Sequence, residues 1–172
     1  CFVSQKKHKE AINVYEKALG LDKNNFSIKY YLADCLFNMA DYESAKVLIH
    51  EQGHSKSLNP RWAHLLGKVL HKQGSQDAWR YYRQALMSNE ELEKVLTNMG
   101  VFLFQHRKLK CAKSSFSKAI KLNESNFNAK LNLSYTQLLK IELKNGWANH
   151  EYRWQADFAS DKLWPIQNRE LW

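Results

Sequence analysis

At 172 residues the chain has room for one sizeable domain or for about four to five helical hairpins, and 44% hydrophobic with 13% aromatic residues exclude general disorder. Two prolines and six glycines are too few for the turns of a sheet-rich fold, and no run approaches the roughly 20 apolar residues that cross a bilayer. The net charge of +9 is local: residues 60–122 hold 12 Lys/Arg against 4 Asp/Glu, while 1–59 hold 8 against 7 and 123–172 hold 6 against 6.

In chain order, apolar periodicity predicts helices over 7–21, 26–39, 42–53, 60–73, 76–87, 91–106, 109–121, 127–143 and 146–156. The opening CFVSQKKHKE has no Met and no basic stretch followed by an apolar run, so no signal peptide is read and the chain is expected to be cut from a longer protein. The helix over 7–21 puts Ala11, Tyr15 and Ala18 on one face. That triplet returns along the chain: Ala11, Ala45, Ala78 and Ala112 lie 34, 33 and 34 residues apart. Four residues on stand Tyr15, Ile49, Tyr82 and Phe116, and seven on stand Ala18, Gln52, Ala85 and Ala119. Small at i, bulky at i+4 and small at i+7 is one helical face that a neighbouring helix can approach closely.

The helices over 26–39, 60–73, 91–106 and 127–143 carry a second ladder in phase with the first. Leu32-Ala33, Leu66-Gly67, Met99-Gly100 and Leu133-Ser134 each put a small residue after a large one, followed three residues later by Leu36, Leu70, Leu103 and Gln137. The small residue marks the tightest crossing with the partner helix. Asn59-Pro60 suits a helix start, with proline at the first helical position. Residues 157–172 show no helical period, and Pro165 favours an extended tail or linker there. The array is thus expected over 1–156, about four and a half hairpins with the first truncated. Such a truncated hairpin leaves an apolar face and an expectation of self-association through exposed hairpin ends.

The phased small and bulky residues, clearest in TNMGVFLFQHRKLKCAKSSFSKAIKLNESN, resemble the tetratricopeptide repeat family, whose unit is a helix–turn–helix of about 34 residues. The resemblance covers roughly residues 5–156, with Lys23 where the family usually has proline and QGHSKSLNP lengthening one turn. It implies an all-α solenoid of antiparallel hairpins, a right-handed superhelix with first helices lining a concave side. It also implies a scaffold that binds a protein or peptide segment there, with no catalysis in this stretch.

By phase, first-helix positions not used for packing are Tyr30, Asp34, Asn38, Arg61, His64, Lys68, His71, Lys72, Lys94, Asn98, Val101, Gln105, Asn128, Asn132 and Tyr135. Arg61, His64, Lys68, His71 and Lys72 form a basic strip suited to an acidic or C-terminal carboxylate ligand. Asn98 and Asn132 share one motif position, resembling the asparagine ladder that grips a peptide backbone in O-linked N-acetylglucosamine transferase; a carboxamide offers both a donor and an acceptor.

The closing NGWANHEYRWQADFASDKLWPIQNRELW resembles the segment that ends repeat arrays in certain bacterial proteins ahead of a glycosyltransferase-like domain. Gly146, Trp147, Glu151, Tyr152, Arg153 and Trp154 carry that likeness, and Leu171-Trp172 matches the start of a second motif. The alternative it implies is the recruiting arm of a longer enzyme. Trp147, Tyr152 and Trp154 are expected to cap the last hairpin, and Arg153 to meet a carboxylate or a ring.

Cys1, Cys35 and Cys111 match neither a disulfide framework nor a zinc knuckle and point to a reduced, cytoplasmic setting, with Cys35 and Cys111 as small buried hydrophobes. His50 and His54 have no third ligand beside them, and no Gly-rich phosphate loop, HExxH or GxSxG occurs, so neither metal nor cofactor is expected. Nucleic acid ranks last as a partner, because the aromatic residues fall at packing positions instead of alternating with exposed cations.

Overall fold

The computed structural model describes residues 2–52, 58–88 and 91–155. The chain divides into two compact units, Cys1–Glu90 and Glu91–Trp172. The first holds α1 (Phe2–Leu21), α2 (Phe26–Asn38), α3 (Tyr42–His50), α4 (Pro60–Lys72) and α5 (Ala78–Ala85). The second holds α6 (Leu92–Gln105), α7 (Leu109–Leu122), α8 (Phe127–Leu139), α9 (Leu143–His150) and a 3-10 turn, Glu151–Trp154. No strand occurs among the described residues. Within the first unit α2/α3 and α4/α5 pair as hairpins, α1 packs on α2, and α2 touches α4; within the second α6/α7 and α8/α9 pair, and α6 touches α8.

Both ladders pack as the spacing predicts. Ala45, Ala78 and Ala112 are fully buried, as are Ile49, Tyr82 and Phe116 four residues on. A Cβ placed on Gly67 would lie 2.9 Å from the Tyr82 ring, and one on Gly100 would lie 2.5 Å from the Phe116 ring. The two helices of those hairpins touch through a missing side chain. Where the second-helix residue is the smaller Ile49, the first-helix position carries Ala33, also fully buried. The sum of the two side chains is held roughly constant, as dense packing requires.

Three first helices start on an asparagine. Asn25 accepts from the Ile28 N–H at 3.1 Å, Asn59 from the Arg61 N–H at 2.9 Å and Asn126 from the Ala129 N–H at 2.9 Å. Each satisfies a backbone donor that the helix leaves orphaned. The first helices end alike. Ala40, Gly74, Arg107 and Ile141 adopt left-handed φ of 64, 75, 58 and 60°. The following N–H reaches back to Leu36, Leu70, Leu103 and Gln137 carbonyls at 2.8–2.9 Å. This is a Schellman turn repeated every 33 or 34 residues, and glycine fills it only once.

That turn corrects two expected boundaries. α8 stops at Leu139 instead of running to 143, because Ile141 reverses the chain, and α9 starts at Leu143 instead of 146. α1 also begins earlier than expected, at Phe2, and α5 is shorter, at Ala78–Ala85. Ile141 is 79% exposed, so its β-branched side chain suffers the left-handed backbone without compensating burial. Replacing Ile141 by glycine is expected to raise stability by about 1 kcal/mol, read as a higher urea midpoint; a lower midpoint would refute the strain.

Candidate functional site

In the first unit, the exposed sides of α2 and α4 come together around an aromatic cluster. Trp62, fully buried, receives the Phe26 ring edge-on at 5.4 Å and the Tyr30 ring edge-on at 5.3 Å. Its indole Nε1 is buried with no hydrogen-bond partner. Tyr31 leans on Tyr30 at 5.9 Å and stacks on Tyr15 at 6.1 Å. The Arg61 guanidinium lies 4.1 Å from the Tyr30 ring centroid and 5.5 Å from that of Tyr31. The Tyr31 side chain raises the Arg61 pKa, burial opposes this, and Tyr30 adds to the rise. Two helical turns beyond Arg61, Lys68 bonds Asp34 at 2.8 Å while its ammonium sits 4.3 Å from the Phe37 centroid. Asn38 donates to the other oxygen of Asp34 at 3.3 Å.

The sequence-predicted residues therefore divide. Asp34, Asn38, Arg61 and Lys68 are brought together along α2 and α4, while Tyr30 is buried beneath the Arg61 guanidinium and so offers no open surface of its own; Lys72 is exposed. His64 is buried and lies against the Tyr82 ring, so it does not join the strip. The His71 Nδ1 lies 3.1 Å from the Tyr82 hydroxyl, whose pKa burial raises. The basic strip is thus not an open row of charges: Lys68 is paired, Arg61 is stacked, and both histidines turn toward Tyr82. Residues that phase alone missed are Tyr15, Tyr31, Phe37 and Trp62. Their signal was present as Tyr30-Tyr31 and Arg61-Trp62, aromatic and cationic neighbours at matching ends of successive first helices.

In the second unit the expected positions are scattered. Asn132 is buried and donates to the Asn128 carbonyl at 2.8 Å, inside its own helix. It is therefore no exposed rung. Asn98 and Val101 are half-buried and Gln105 is exposed. Lys94 bonds Glu91 at 2.8 Å. Tyr135 is half-buried with the His150 ring edge-on at 5.7 Å, and burial raises its pKa despite Arg153. Lys94 and Asn128 also border a polar cleft of about 210 Å³ with Glu93, Asn126, Phe127 and Gln155.

The expected aromatic cap is formed in part. Tyr152 stacks on Phe127 at 5.9 Å beneath the Lys130 ammonium at 4.1 Å. Trp147 is instead exposed, because its neighbour Gly146 takes the buried position against Leu138. Arg153 donates to Glu151 at 3.0 Å, as expected of it. Residues 156–172, the Trp154 side chain expected in the cap, His54 and Cys1 lie outside the described residues. Cys111 is exposed and Cys35 half-buried, so neither is the fully buried thiol expected; burial, then the Asp34 charge, pushes the Cys35 thiol pKa up.

Two groups of the second unit, His150 and Glu142, titrate below their ordinary values. Burial and then Arg153 hold the His150 pKa below its usual value, and Lys113 followed by Lys140 hold the Glu142 carboxyl below its own. In both cases the folded state binds fewer protons than the unfolded one, so stability is lost as pH falls. For His150 that loss starts below about pH 6.5 and for Glu142 below about 4.3. Melting temperature is expected to drop between neutral and mildly acidic pH, and less so in a His150→Gln variant. Equal slopes for both proteins would show the histidine to be uninvolved.

Residues 2–69 match a family model described as tetratricopeptide repeat. Over 100 residues the chain is 28% identical to the BBSome complex member BBS4 of Bos taurus, covering 58% of this chain and 19% of that protein, under a fifth of its length. Among solved structures it resembles YrrB, described as a TPR protein with an unusual peptide-binding site. The TM-score there is 0.62 at 22% identity, over 87% of this chain and 77% of that one. It also resembles MamA from Desulfovibrio magneticus RS-1, with TM-score 0.67 at 16% identity, over 93% and 94% of the two chains. At these identities the structural likeness establishes the shared fold. No described helix is long and apolar enough to cross a membrane.

Proposed function

We propose, from the match of residues 2–69 to the tetratricopeptide repeat model and from the helical-hairpin fold, that this chain is a protein-interaction scaffold whose first unit binds an extended peptide segment along α2 and α4. The observation that carries this is the Arg61–Tyr30–Tyr31 stack. A guanidinium lying on aromatic rings is held in place before a ligand arrives, so its remaining donors can meet a carbonyl or carboxylate with little further loss of entropy. Tyr31, 45% exposed, supplies a flat apolar surface with a polar tip, the residue type enriched at binding hot spots. Asn38 and Lys72 extend the face with polar groups suited to a peptide backbone. Because Lys68 is already paired with Asp34, acidic ligands gain from Arg61 and Lys72 and less from the strip as a whole.

Selection of a displayed peptide library on the intact protein tests this reading. Peptides are expected to enrich, and Arg61→Glu is expected to weaken the selected ones at least about tenfold. Absence of enrichment, or an unchanged set recovered on Arg61→Glu, would dismiss this face as the peptide site.

A further inference from the structure

Exposed large apolar side chains gather at the turn between α8 and α9. Leu139 ends α8, Ile141 occupies the left-handed turn position, and Leu143 and Trp147 lie one helical turn apart on α9; all four are exposed. Ile141 adds to this surface from the left-handed turn position, where its β-branched side chain is 79% exposed.

The surroundings are cationic. Lys144 is exposed on α9. The carboxylate in the turn, Glu142, is occupied on both oxygens, by Lys113 from α7 and by Lys140. The ion pair with Lys113 sets α7 beside the turn, and one turn before Lys113 stands exposed Lys110, with Arg107 and Lys108 exposed at the start of that helix. No acidic residue occurs between Glu93 and Glu124. An apolar centre of Ile, Leu and Trp with lysine and arginine around it matches the headgroup region of an anionic bilayer. There apolar chains reach the acyl boundary, tryptophan sits at headgroup depth and cations face phosphates. A protein partner fits less well, since lysine is depleted from protein interfaces. Nucleic acid would leave the isoleucine and leucines without a counterpart.

We propose that the α8–α9 turn is a peripheral membrane-docking edge, in which Ile141, Leu143 and Trp147 enter an anionic bilayer surface while Arg107, Lys110 and Lys144 meet its lipid headgroups. Co-sedimentation of the intact chain with phosphatidylcholine vesicles, with and without phosphatidylserine, is the test. Binding is expected only with phosphatidylserine and is expected to fall as salt rises. Lys144→Glu should weaken it at least about fivefold, the equivalent of about 1 kcal/mol per cation near the surface. Ile141→Gly should weaken it about tenfold while the urea midpoint stays level or rises, which separates loss of docking from loss of fold. No sedimentation with phosphatidylserine vesicles, equal sedimentation with both vesicle types, or full binding by the two variants would each overturn the proposal.

Discussion

Gly100→Ala is expected to destabilise the protein by about 1–2 kcal/mol, and Phe116→Ala by about 4 kcal/mol. An added methyl on Gly100 meets the Phe116 ring at 2.5–2.9 Å, and that ring is fully buried, with nowhere to retreat. Alanine is the better helix former by about 1 kcal/mol, so a net loss must come from the steric term. The second hairpin indicates the cure. Ala33 and Ile49 stand at the positions of Gly100 and Phe116, both fully buried. Gly100→Ala combined with Phe116→Ile should therefore lose less stability than the two single changes added together, by about 1 kcal/mol or more. Urea unfolding of the four proteins in the cycle measures that coupling. Strict additivity would show that the two positions do not set the helix separation jointly.

Trp62→Ala is expected to cost about 3–5 kcal/mol and to abolish the peptide binding proposed for the first unit. The indole is the floor of the candidate site: it holds Phe26 and Tyr30 edge-on, and Tyr30 in turn carries Arg61. Removing it opens a large void beneath the guanidinium. Trp62→Phe separates the two consequences. It keeps an aromatic face and deletes the buried Nε1 donor that has no partner, a group that itself costs about 1–3 kcal/mol. The smaller ring loses some packing, so the expected net change is under about 1.5 kcal/mol, with peptide binding largely kept. A Trp62→Phe protein that folds normally yet binds nothing would mean that the indole serves the ligand directly and not as a support.

Much of this molecule was legible from residue spacing. The Ala11, Ala45, Ala78 and Ala112 ladder, interleaved with Ala33, Gly67, Gly100 and Ser134, determines that helices pair and where each pair crosses most closely. Close approach depends on side-chain volume, and volume is written directly in the sequence. The helix start at Asn59-Pro60 was similarly open to reading, since an N-cap acts through its own backbone neighbours.

What only the tertiary structure decided are the contacts between elements that no local rule ties together. Spacing placed His64, His71 and Asn132 on an open face, but a first helix is touched by its partner and by the next hairpin, and the width of that covered arc depends on ring sizes elsewhere. Tyr82 claims both histidines, and packing around α8 buries Asn132, whose amide then turns back on the Asn128 carbonyl of its own helix. Lys68 looked like a ligand-facing charge until Asp34, 34 residues away, proved to lie opposite it. The left-handed turn at Ile141 was hidden for another reason: sequence signals such a turn by glycine, and this chain uses glycine for it only at Gly74. Periodicity reports which side chains are small enough to pack; which polar groups remain for a partner is settled when helices distant in sequence compete for the same surface.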